Sequence, residues 1–163
     1  MPNYKAVLND TRAAFNDFVE ETKSDSLKTI VYGMSLGGQL AVKITKDNQS
    51  IVDALVLDSS VESAQSLAID YAPIEYFKEG ARKTPERFNQ LYVAVRDIKD
   101  IVNIPKLIIH GKNDKEVPFF RGQKIFNAAK EPKIFWANNS KHIMTLIDYP
   151  TETIQKINNL ISQ

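Results

Sequence analysis

Apolar residues return along this chain in two rhythms. From Lys5 to Glu21, Val7, Leu8, Phe15, Phe18 and Val19 fall at helical spacing, and the polar stretch Thr22–Ser26 closes that helix. Lys28–Tyr32 (KTIVY) is a short β-branched run that predicts a strand. Leu36–Thr45 reads as a helix with Leu40, Ala41 and Ile44 on one face, and Val52–Leu57 (VDALVL) as a second strand. Lys106–Ile109 (KLII), bounded by Pro105 and Gly111, is a third strand, and Lys133–Trp136 (KIFW) a fourth. Between these two lies a helix over Phe119–Ala129, opened by Pro118. A closing helix, Pro150–Ile161, starts on its proline and keeps Ile154, Ile157, Leu160 and Ile161 to one side. Ser59–Ile104 is a long, mostly helical stretch carrying Tyr71, Tyr76, Phe77, Phe88 and Tyr92.

Short apolar strands separated by helices predict an α/β fold: a parallel sheet with helices on both faces, in one domain over residues 1–163. Ligands of such sheets sit at the carboxyl ends of the strands. The first strand is followed by Gly33-Met34-Ser35-Leu36-Gly37 and the second by Asp58-Ser59-Ser60. After the third comes His110-Gly111-Lys112-Asn113-Asp114, and after the fourth Asn138-Asn139-Ser140-Lys141-His142. A serine hydroxyl becomes a nucleophile when a base takes its proton and an acid orients that base. Gly33 and Gly37 around Ser35 fit G-x-S-x-G, a tight strand-to-helix turn with the serine at its apex. The Leu36 backbone N–H would then face a developing oxyanion. The same pentapeptide also suits a plain glycine-rich turn in which Ser35 caps a helix. Asp114 is either the acid or a turn residue, and Asp58 competes for the role. Glu116 and Asp148 read as surface charges. His142 is the one histidine downstream of Asp114, so it is the base of any triad, and His110 reads as structural. The aromatic residues from Tyr71 to Tyr92 either line an acyl pocket or pack a helical insert onto the sheet.

Composition removes alternatives. Lys+Arg is 21 and Asp+Glu 20, giving a net charge of +1, so no field of one sign points to nucleic acid or an acidic membrane. No cysteine is present, which rules out disulfides and thiolate metal sites and fits a reducing, cytoplasmic setting. Two histidines argue against a histidine-rich metal centre, and no cofactor is implied. No apolar run has the length of a membrane span, and the start lacks a secretory core. Gly33, Gly37 and Gly38 do not fit the dinucleotide-binding G-x-G-x-x-G.

The segments YGMSLGG, LIIHGKNDKEVP and NNSKHIM together resemble the α/β-hydrolase family in type, order and placement. The resemblance implies a Ser35–Asp114–His142 triad acting on an ester or thioester of a small acyl substrate. It covers nearly the whole chain except Ser59–Ile104, which stands where the family carries a variable cap. That family usually has eight strands with the nucleophile after the fifth, whereas here Ser35 follows the first. The expectation is therefore a shortened α/β-hydrolase fold of about four strands. No loop before Ser35 matches the one that supplies the family's second oxyanion donor. Lys28–Tyr32 would lie at a sheet edge, open to pairing with a second copy, as a homo-oligomer, or with a partner carrying the missing strands. A non-catalytic assembly module that pairs through this edge is the competing expectation.

Overall fold

The computed structural model describes residues 3–24 and 26–162. Asp25, inside the expected polar loop, and Met1 and Pro2, at the start read for a secretory segment, lie outside the described residues. Four strands pair in chain order and all run parallel: β1 (Ile30–Met34), β2 (Ala54–Asp58), β3 (Lys106–Gly111) and β4 (Lys133–Asn138). Every residue of β2 and β3 is buried, as their unbroken apolar runs require of strands covered on both faces. β1 is only partly buried and forms one edge of the sheet.

Helix α1 (Tyr4–Thr22) begins where the Asn3 side chain accepts from the Lys5 and Ala6 N–H groups. Of its expected apolar face, Leu8 is buried and Phe15 touches the core, while Val7 and Phe18 stay exposed. Helix α2 (Gly37–Asp47) connects β1 to β2. The stretch after β2 divides into a surface part and a core part. Helices α3 (Ala64–Tyr71) and α4 (Glu75–Lys83), with a 3₁₀ turn at Pro85–Arg87, form the surface part, and α4 buries no residue. The short α5 (Ala94–Asp97) and the turn after it are core: Ala94, Ile98, Ile101 and Ile104 pack with Leu55, Leu57 and Ile108. Helix α6 (Phe119–Ala128) contributes Ile125 to the same layer. A one-turn α7 (Thr145–Asp148), not anticipated from the periodicity, precedes α8 (Pro150–Ile161). Leu160 of α8 covers the opposite face with Val56, Leu107, Ile109 and Trp136.

Two buried polar features brace this frame. The Arg121 guanidinium on α6 binds Glu62 at 2.6 Å and grips both oxygens of Asp70 on α3, tying the cap to the body. Lys106 opens β3 with a fully buried side chain, whose ammonium donates to the Ile104 and Lys130 carbonyls at 2.7 and 3.1 Å. Burial pushes the Lys106 pKa down from 10.5 to about 8. Below that value both folded and unfolded chains are protonated, and the burial penalty is constant. Between about 8 and 10.5 the folded chain has released the proton that the unfolded chain still holds, so stability rises with pH across this window. Urea unfolding at several pH values should show this contribution as a slope of up to about 1.4 kcal/mol per pH unit, missing from Lys106→Met.

Candidate active site

The strands run one or two residues further toward their carboxyl ends than their apolar runs suggest, which places His110 in β3 and Asp58 at the end of β2. Ser35 follows β1 directly and holds a φ of 50°, a left-handed conformation that is uncommon for a residue with a side chain. Its N–H donates to the Asp58 carbonyl at 3.0 Å, and its carbonyl accepts from Gly38 and Val61, both at 3.2 Å. Close packing beneath the turn explains the glycines. A Cβ on Gly33 would lie 2.5 Å from that of Ala41, and one on Gly38 would lie 2.0 Å from Ser60 Oγ. A Cβ on Gly37 would meet nothing within 4 Å. The glycine with least room after Ser35 is thus Gly38 and not Gly37 of the pentapeptide; the doubled glycine was its signal. Leu36 sits at the N-terminal end of α2, and no backbone carbonyl among the described residues accepts from its N–H.

Asp114 lies in the turn after β3. Its Oδ1 accepts from the Glu116 and Val117 N–H groups at 2.9 and 2.8 Å, and its Oδ2 faces His142 Nδ1 at 2.8 Å. One oxygen shapes the turn and the other meets the imidazole. A carboxylate only accepts, so Nδ1 carries the ring proton and Nε2 is left as an acceptor. Nε2 stands 2.9 Å from Ser35 Oγ. The structure therefore brings Ser35, His142 and Asp114 into one hydrogen-bonded chain from three loops. His110, fully buried, donates from Nε2 to the Val117 carbonyl at 2.9 Å and braces the same turn. Burial lowers its pKa. Asp58 does not touch His142; its carboxylate receives hydroxyls from Tyr32, Ser59 and Thr145. Glu116 and Asp148 are exposed.

An apolar cavity of about 590 Å³ opens beside Leu36 and Gly37. Leu40 of α2, Leu67 and Tyr71 of the cap, and Phe88 and Tyr92 line it. Tyr76 and Phe77 are not among its lining residues and are exposed on α4. Of the aromatic residues in the insert, three line this cavity and two lie on the surface.

A parallel sheet with these three residues at its carboxyl ends is that of an α/β hydrolase. More narrowly, the chain belongs to the prolyl oligopeptidase family, whose sequence profile matches residues 3–153. Among curated relatives, the uncharacterized protein YfhR of Escherichia coli K12 is 26% identical over 133 residues, covering 81% of this chain and 44% of the relative. The α/β hydrolase domain-containing protein WAV2 of Arabidopsis thaliana is 27% identical over 143 residues, covering 81% of this chain and 45% of its own. The chain thus spans less than half the length of these relatives. The esterase Pf2001 of Pyrococcus furiosus superposes with a TM-score of 0.69 at 16% identity, over 99% of this chain and 63% of the esterase. The carbazole-degradation serine hydrolase CarC gives 0.66 at 17% identity, over 99% and 74%.

The glycine contacts set a stability test. Gly38→Ala should lose about 1 to 3 kcal/mol in urea unfolding, because the added methyl displaces Ser60. Gly37→Ala should match the parent or gain up to about 1 kcal/mol, having free space and a better helix former.

Proposed function

We propose that this domain is a serine hydrolase that cleaves carboxylic esters or thioesters by acyl transfer through Ser35. The observation that carries the reading is the chain Ser35 Oγ–His142 Nε2–His142 Nδ1–Asp114 Oδ2, with links of 2.9 and 2.8 Å. Ser35 attacks the acyl carbonyl while Nε2 takes its proton. Asp114 stabilises the imidazolium that results, and the imidazolium then protonates the leaving group. Water, activated by the same nitrogen, releases the acyl group. The Leu36 N–H, at the positive end of α2, supports the oxyanion. The apolar cavity beside Leu36 suits an apolar acyl group. Labelling with a fluorophosphonate probe tests the reading. The parent should label, Ser35→Ala should not, and Asp114→Asn should slow labelling by about 10⁴-fold. Labelling that survives Ser35→Ala would remove the assignment.

A second reading rests on the open edge of β1. The Thr29 carbonyl accepts from Ala54 on the β2 side, so strand alternation turns the N–H and C=O of Ile30 and Tyr32 to the open edge. In this reading the edge pairs with a strand of a second copy or of a partner, and assembly is the function. Sedimentation velocity at micromolar concentration should then give a dimer that Ile30→Pro dissociates, since the proline removes an edge donor and leaves the β2 ladder intact. A monomeric parent would discard this reading.

A further inference from the structure

We propose that Asp58 is a positioning residue for this site: from the end of β2 it fixes both the turn that carries Ser35 and the loop that carries His142. The inference rests on the hydrolytic reading of Ser35, His142 and Asp114. Different parts of Asp58 make the two attachments. Its backbone carbonyl accepts from Ser35 N–H at 3.0 Å. Its Oδ1 accepts from Thr145 Oγ1 and from Ser59 Oγ, both at 3.3 Å. Ser59 Oγ in turn accepts from Ile143 N–H at 3.3 Å. Ile143 and Thr145 are the first and third residues after His142, so the loop is held just past its imidazole. Tyr32 O–H holds the other oxygen, Oδ2, at 3.2 Å.

The backbone needs this hold. Ile143 has a φ of 52° and Ser59 a φ of 50°. A β-branched residue in the left-handed region is a true outlier, and it persists only where its surroundings fix it. Ile143 cannot draw that support from burial, because its side chain is exposed. The bond from its N–H to Ser59, itself anchored on Asp58, meets the need. Asp58 is fully buried, and all three side chains bonded to it are hydroxyls with no cation among them. A buried carboxylate without a cationic partner is costly. The polarity of the network gives it a use: the hydroxyls donate, and only an acceptor at position 58 orients all three.

The chain has two histidines, so the imidazole spectrum of the protein labelled with ¹⁵N-histidine contains two rings and reports His142 directly. Thr145→Val and Asp58→Ala should weaken or abolish the His142 Nδ1–H resonance while the His110 Nε2–H resonance stays in place. They should slow fluorophosphonate labelling by about 10- to 100-fold. Thr145→Ser should retain both signal and rate, which a requirement for packing alone would not predict. Should Asp58→Ala not fold, Thr145→Val decides, with circular dichroism reporting its fold. An unchanged His142 resonance in folded Thr145→Val would overturn the proposal, as would equal loss in Thr145→Ser. If the parent fails to label, the hydrolytic reading falls, and the spectra still decide whether Asp58 orders the loop.

Discussion

The register of a parallel ladder governs everything else in this molecule. Met34 lies opposite Asp58, Asp58 opposite Ile109, and Gly111 opposite Asn138. Four strands thereby end along one rim, and the chain leaves each of them through a loop on the same side. A slip of one residue in any pair would turn its side chains to the other face and carry its loop away from the rim. The apolar runs of β2 and β3 oppose such a slip, because each is packed from above and below.

The rim does more than gather residues. Ser35 and Asp114 of the serine, histidine and aspartate chain are each held by backbone as well as by His142. Ser35 is held through its own N–H and C=O, and Asp114 through the two N–H groups that its other oxygen accepts. His110, which never meets Ser35, fixes the Val117 carbonyl and so the outer wall of the acid turn. The geometry among these side chains is thus set by the fold's own backbone contacts.

The sequence disclosed the strands readily, because unbroken apolar runs such as ALVL and LII have few other uses. It disclosed Ser35, Asp114 and His142 as candidates, because a sheet of this type fixes which loops meet. It was silent on matters of distance and conformation. Gly38 and Gly37 are equivalent in one dimension, and only the position of Ser60 separates them. Ala94–Ile104 looked like the rest of the insert because its helical turns are too short to show a period, yet Ile98 and Ile101 are wholly buried. Asp58 stood after a strand, as a catalytic acid would. Its orientation toward Tyr32 and Thr145 belongs to packing and not to pattern. No spacing announces that Ile143 adopts a left-handed backbone.

The cap is attached unevenly. Helix α3 is clamped to α6 through Arg121, while α4, which follows it, buries no side chain at all. Evolution therefore finds a permissive segment beside a constrained one. Changes in α4 alter the outer surface of the cap at little cost to folding, while α3 keeps Leu67 and Tyr71 against the cavity. A lineage built on this scaffold can vary its outer surface freely and leave the α3 wall of the cavity unchanged.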